Sequence, residues 1–379
     1  MIRPGRPVSG RPYSGETTMK PTHIEHPADW KGAELDYTKQ ALRILSSDDV
    51  AQIDAALAHM QEIEGLDFCD VTQKTFPLGS FGDSLRDMRN ELRTGLGFVL
   101  MRGLPRERYT SDQMAWIYFG IGAYLGHSMP QSYHGELLGH VMDVSDVEKD
   151  ARAYHSDGHL AMHTDVDDIV ALMCLRTSLS GGASRIASAV AIHNELARTR
   201  PDLLEILYRG FHMRRMDRDA AAGTGRVVSE EPLPVFKVQD GEITCFMVGG
   251  YVRRAEMAGD ISLSELEREA LDEFERLAMS PEFYLDMDFA DGDVQFLNNR
   301  VMLHGRTEFV NIPAFDKRRN LLRLWLRVPD WTVFPESQIL HTDEDRKLWS
   351  RHRTRLQELP SRYLAYLDHL KATADGQVA

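Results

Sequence analysis

Between Arg319 and Val328 the chain alternates so regularly that one local structure accounts for it. On a strand, Arg319, Leu321, Arg323, Trp325 and Arg327 share one face, and Leu322, Leu324, Leu326 and Val328 share the other. The leucine face requires a hydrophobic layer beneath it. The run is too apolar for an exposed edge, so the arginine and tryptophan face belongs to a polar cavity. Guanidiniums enclosed there need anionic partners. A carboxylate ligand held by two parallel hydrogen bonds would supply one.

The surrounding sequence has the same texture. From about 160 to 330, short apolar runs at 169–175, 184–190, 235–238, 243–248, 293–297 and 321–328 alternate with turn residues. Many short strands with turn signals between them predict a sandwich or barrel rather than a doubly wound sheet. Helices are expected at the flanks and in insertions. Val50, Ile53, Leu57, Met60 and Ile63 follow caps at 46–49 until Gly65. Met114, Ile117, Ile121 and Leu125 follow a cap at Ser111-Asp112. Further helices are expected at 193–198, 262–279 and 343–372, and a short β run at 97–102. Residues 1–20 are rich in Gly, Pro, Ser and Arg and predict a disordered leader, with Met19 as an alternative start. The remainder, 21–379, is expected to be one domain: a core at about 96–330 with helical N-terminal and C-terminal extensions.

Composition removes several classes of function. The 379 residues carry 44 Lys+Arg against 58 Asp+Glu, a net charge of −14, so no broad cationic surface exists for nucleic acid. No run approaches the roughly 18 apolar residues of a membrane span. Cys69, Cys174 and Cys245 are too few and too scattered for a disulfide scaffold or a thiolate zinc site, which predicts a reducing, cytoplasmic setting.

His163-Thr164-Asp165 places an imidazole and a carboxylate two apart, on one face of a strand and within reach of one ion. The spacing is weak by itself. Chance predicts about two His-x-Asp/Glu pairs in this composition; six occur, at His23, His134, His155, His163, His193 and His341. Context favours His163/Asp165, which a buried strand follows at once, although His155/Asp157 lies only eight residues upstream and remains a rival. A mononuclear site needs a third ligand on a neighbouring element. His304 is the choice: it ends the apolar run of Gln295-Phe-Leu-Asn-Asn-Arg-Val-Met-Leu-His304 and precedes Gly305. A lone histidine on such a strand is more often a satisfied core residue.

Together, His163-Thr-Asp165, His304 in an Asn-Arg-Val-x-x-His setting, and the run of Arg318, Arg319 and Arg323 resemble the taurine dioxygenase/2,4-D dioxygenase family. Its members are iron(II), 2-oxoglutarate-dependent oxygenases. The resemblance runs from roughly Leu96 to Pro329. It implies a mainly β chain with flanking helices, folded as a double-stranded β-helix (jelly roll) of the clavaminate synthase type. It assigns iron to His163, Asp165 and His304, and 2-oxoglutarate to Arg319 with Ser184 in support. Because the spacing from His304 to Arg319 is about one turn longer than in taurine dioxygenase, Arg323 is an alternative for 2-oxoglutarate. The carboxylate of Asp165 separates the chain from the halogenating branch, where a small residue replaces it. The implied reaction consumes O2 and 2-oxoglutarate, releases succinate and CO2, and hydroxylates, desaturates or cyclises a small, carboxylate-bearing substrate.

Tyr154, His155, His159, Arg323 and Trp325 are the candidate substrate-pocket residues, several of them in the polar segment 139–161 that leads into the metal pair. The helices at 262–279 and 343–372 carry enough apolar surface for a homo-oligomer contact or for cover on the barrel. Two other readings use the same residues: a zinc or manganese hydrolase or lyase acting through metal-bound water, and a non-enzymatic jelly-roll module with core histidines.

Overall fold

The computed structural model describes residues 22–148, 153–215, 227–353 and 358–375. The expected leader over 1–20 lies outside the described residues. Two sheets form the centre. The larger runs Leu42–Ile44, Phe98–Arg102, Val294–Asn298, Ile169–Arg176, Asn320–Arg327 and His127–Ser128, with Gly139–Met142 also pairing with Asn320–Arg327. The smaller runs Tyr284–Met287, Ser184–Ser188, Met302–Arg306 and Leu160–His163. From Leu160 the chain passes back and forth between the two sheets, the winding expected of a jelly roll.

The alternating segment forms the expected strand over Asn320–Arg327, with Arg319 and Val328 just outside its ends. Asn320–Arg327 pairs antiparallel with Ile169–Arg176, at the middle of the larger sheet. Its Leu322, Leu324, Leu326 and Val328 pack against Ile53, Leu57, Leu85, Ile117 and Ile121. Those side chains come from the helices Ser47–Gln61, Gly79–Thr94 and Ser111–Leu125, which cover the outer face of that sheet. The first helix starts where expected, through a capping box between Ser46 and Asp49. The third is capped one residue earlier than expected: the Thr110 side chain accepts from the amide of Gln113, and Gln113 reaches back.

The expectation of a mainly β chain holds for the core alone, because helices contain more of the described residues than strands do. Ala189–Thr199, Pro201–Arg209, Gly249–Met257 and Glu265–Ala278 fill the insertion between Ser188 and Tyr284 and share a hydrophobic cluster with Ile186, Ala187, Met302 and Leu303 of the smaller sheet. The strand expected over 184–190 ends at Ser188, whose hydroxyl accepts from Ala191 N and starts a helix instead. The single helix expected over 343–372 is two, Asp343–Ser350 and Pro360–Ala374, the second opening on a proline that needs no helical hydrogen bond there. Among the described residues, no helix is long and apolar enough to cross a membrane.

Candidate metal centre

His163 and His304 stand opposite each other in register on adjacent antiparallel strands. Cross-strand partners project to the same side, and the two rings approach with centroids 4.3 Å apart. Gly305 makes room for this pairing, since a Cβ there would lie 2.6 Å from the Leu160 carbonyl oxygen. Asp165 completes the group: its Oδ1 is 3.8 Å from His163 Nε2 and its Oδ2 is 3.5 Å from His304 Nε2. One ligand atom from each residue lies within 4.8 Å of the others, and this is the one such cluster among the described residues. Two imidazoles and one carboxylate on one side of an ion suit an octahedral metal with open positions, typically iron(II). The rival pair His155/Asp157 forms no such cluster.

The Asn-Arg-Val motif explains how segments far apart in sequence hold this register. Asn299 and Arg300 occupy the turn between Val294–Asn298 and Met302–Arg306. Asn299 Oδ1 accepts from Asp165 N at 2.9 Å, and its Nδ2 donates to the carbonyls of Asp165 and Asp167 at 2.6 and 3.0 Å. Arg300 Nε donates to Asp168 Oδ1 at 2.8 Å in a buried ion pair, and Asp168 Oδ2 accepts from Val328 N. The turn that carries His304 is thereby clasped to the turn that carries Asp165.

Electrostatics prepare the three groups as ligands. The Ala161 carbonyl accepts from His163 Nδ1 at 2.8 Å, leaving the Nε2 lone pair free. Burial, then repulsion from His304, lowers the His163 pKa to about 4, so the ring is neutral near pH 7. Burial would push the Asp165 carboxyl up, but Arg323 and the two histidines hold it well below the usual carboxylate range. Trp325 Nε1 and Arg323 Nη1 both donate to Asp165 Oδ2, at 2.8 and 3.3 Å. Arg323 also lies over the rings of Tyr154 and Trp325, and its Nε donates to Gln131 Oε1 at 2.9 Å.

A second guanidinium is enclosed by the protein. Arg319 is 4% exposed; its Nη2 donates to the Gly182 carbonyl at 3.2 Å, and Nη1 has no partner. Gly182 has φ +76°, and a Cβ there would meet Arg319 Nε at 2.9 Å, so glycine is what leaves the guanidinium its place. Arg306, two residues beyond His304, is equally buried and has Nε and Nη1 without partners. Both guanidiniums lie over Phe309, at 5.1 and 4.7 Å. Ser184 is the cross-strand partner of Arg306 and donates to Gln295 Oε1 at 2.9 Å. Unpaired buried guanidinium nitrogens fit a bound dicarboxylate, and the triad fits a divalent ion.

A cavity of about 320 Å³ opens at His163 and Asp165. Of the predicted pocket residues, Tyr154, His159, Arg323 and Trp325 line it. His155 does not: its Nε2 turns to the His140 carbonyl, 2.9 Å away. The loop expected over 139–161 begins instead with the strand Gly139–Met142, because the long arginine strand offers its edge there. Arg323 sits beside Asp165 on the cavity wall, whereas Arg319, Ser184 and Arg306 are not part of that wall. The spacing of His304 and Arg306 places both on one strand face. The role of Gln131 had no local signal, and Asn299 was visible only as part of the Asn-Arg-Val setting of His304.

Residues 62–325 match the family described as taurine catabolism dioxygenase TauD, TfdA family. The chain is 29% identical over 323 residues to FR-33289 synthase of Streptomyces rubellomurinus (strain ATCC 31215), covering 82% of this chain and 92% of that protein. It is 30% identical over 350 residues to taurine hydroxylase-like protein SAT17 of Stachybotrys chartarum (strain CBS 109288 / IBT 7711), covering 85% and 86%. Among solved structures, asparagine oxygenase with Fe(II), 2S,3S-3-hydroxyasparagine and succinate superposes with a TM-score of 0.59 at 17% identity, over 76% of this chain and 94% of that one. The non-heme iron oxygenase OrfP with Fe and alpha-ketoglutaric acid gives 0.55 at 15% identity, over 76% and 94%. These last two likenesses are of fold.

Proposed function

We propose, because the chain belongs to the taurine catabolism dioxygenase TauD, TfdA family and is a non-haem iron(II), 2-oxoglutarate-dependent oxygenase, that it oxidises an unactivated C–H bond of a small, carboxylate-bearing molecule. The observation that carries the substrate class is Arg323, a guanidinium on the cavity wall beside Asp165 and between two aromatic rings. Proteins of similar fold are in keeping with it: asparagine oxygenase is in complex with 2S,3S-3-hydroxyasparagine and OrfP with (3S)-hydroxy-L-Arg, amino acids that each carry a carboxylate.

His163, Asp165 and His304 would hold the iron, and Arg319 with Ser184 nearby would take the far carboxylate of 2-oxoglutarate. When bound, iron and 2-oxoglutarate supply the oxygen chemistry, in which decarboxylation to succinate and CO2 is coupled to oxidation of the substrate. The chain's own residues do the rest. Trp325 and Arg323 fix the Asp165 carboxylate and keep it ionised. The Ala161 carbonyl keeps His163 in the ligating tautomer. Phe246, Trp325 and Trp349 line the cavity with apolar surface and limit water. A hydrolase built on the same triad would leave Arg319 buried without purpose.

Purified protein with iron(II), ascorbate and 2-oxoglutarate is expected to release succinate, with stimulation by a matching small acid, and Asp165→Ala is expected to abolish this. Neither uncoupled nor stimulated turnover across a panel of amino and other carboxylic acids would refute the reading.

A further inference from the structure

Arg319 is not the only buried guanidinium with nitrogens that lack a partner. Arg306 ends a strand of the smaller sheet, Arg319 immediately precedes the strand Asn320–Arg327, each is 4% exposed, and both guanidiniums lie over the ring of Phe309. Neither makes an ion pair with a carboxylate among the described residues. Arg306 Nη2 donates to the carbonyls of Ser156 and Gly158, both at 2.7 Å, while Nε and Nη1 have no partner. Those carbonyls orient the fork without neutralising it. Asp143 and Asp157 act on Arg306 from beyond ion-pair distance, and the unpartnered nitrogens of the two buried forks suit an anionic ligand.

We propose that Arg306 is a second guanidinium of the cosubstrate site, pairing with the same distal carboxylate of 2-oxoglutarate as Arg319. This rests on the assignment of 2-oxoglutarate to Arg319. Three observations converge on it. Arg306 is two residues from His304 on one strand, so its side chain leaves the same face as the metal ligand. Ser184, the hydroxyl in the same end of the barrel, is its cross-strand partner. Burial, then repulsion from Arg306, lowers the pKa of Arg319 to about 9, while burial lowers that of Arg306 to about 10 against the opposing pull of Asp143 and Asp157. A carboxylate between them would relieve that repulsion and satisfy donors on both forks. Arg306 is thus a selectivity residue for a dicarboxylic keto acid, and its hold on the loop 156–158 keeps it oriented before the ligand arrives.

The test uses the iron(II)-loaded protein under argon, with the weak visible band of the keto-acid complex as a binding readout. Two probes are titrated: 2-oxoglutarate, and 2-oxopentanoate, which has the same length and keto acid but no second carboxylate. Arg306→Met is expected to raise the Kd for 2-oxoglutarate at least tenfold, to leave that for 2-oxopentanoate unchanged, and to melt no lower than the wild type when ligand-free. Arg306→Lys, which restores the charge, is expected to recover part of the preference for 2-oxoglutarate. The proposal is overturned if Arg306→Met binds 2-oxoglutarate as the wild type does, loses both probes alike, or melts or misfolds well below the wild type, each of which marks a structural role. No recovery with lysine overturns it as well. Failure of the wild type itself to give a band with 2-oxoglutarate would instead remove the cosubstrate assignment on which the proposal stands.

Discussion

Trp325 Nε1 donates to Oδ2 of Asp165 at 2.8 Å, so a tryptophan from the larger sheet orients the one carboxylate of the candidate metal centre. Partners of this kind set ligand geometry and are typically worth about 10–100-fold in metal affinity. Trp325→Phe keeps an aromatic ring in the cavity wall and removes the donor. Its iron(II) Kd, measured anaerobically, is expected to rise at least about tenfold with little change in melting. Wild-type affinity would show that Arg323 suffices to orient the carboxylate.

Gly182→Ala tests the Arg319 end of the site without replacing a charged group. The left-handed backbone at φ +76° costs alanine roughly 1–2 kcal/mol, and its Cβ would displace Arg319 Nε. The expected result is a higher KM for 2-oxoglutarate with iron(II) affinity preserved. An unchanged KM would separate Arg319 from cosubstrate binding.

Asp168→Ala breaks the clasp between the two metal-bearing turns and leaves the Arg300 guanidinium, 5% exposed, without its carboxylate. Removing one member of a buried pair costs about 3–5 kcal/mol. A clear drop in the denaturant midpoint is expected, together with weaker iron(II) binding, because the His304 turn loses its anchor. Normal stability would mean that Asn299 alone holds the register.

His193 lies outside the site, fully buried, with Nε2 2.9 Å from the Tyr208 hydroxyl. Burial lowers its pKa from the ordinary 6.5. The unfolded chain therefore binds more protons than the folded one as pH falls through 6.5, and stability declines in that direction. Thermal midpoints of the wild type should fall between pH 7 and pH 5.5, and His193→Gln should flatten that slope. An identical slope in the variant would assign the effect to other groups.

The alternation of Arg319 to Val328 determined by itself that a strand with one leucine face and one cationic face exists, because side chains on a strand leave alternate sides whatever surrounds them. The helix starting at Ser47 and the pairing of His163 with Asp165 were legible for the same local reason. The sequence singled out His304 as the third ligand, but tertiary structure decided that it stands opposite His163, 141 positions away, since strand register depends on hydrogen bonds between segments that no local pattern encodes. It also decided which arginine faces which anion. Arg323 and Arg319 share one sequence face, yet Arg323 reaches Asp165 while Arg319 reaches the Gly182 carbonyl. The helices between Ser188 and Tyr284 and the turn of His155 toward His140 were likewise settled by packing, where burial against the sheet outweighs local preference.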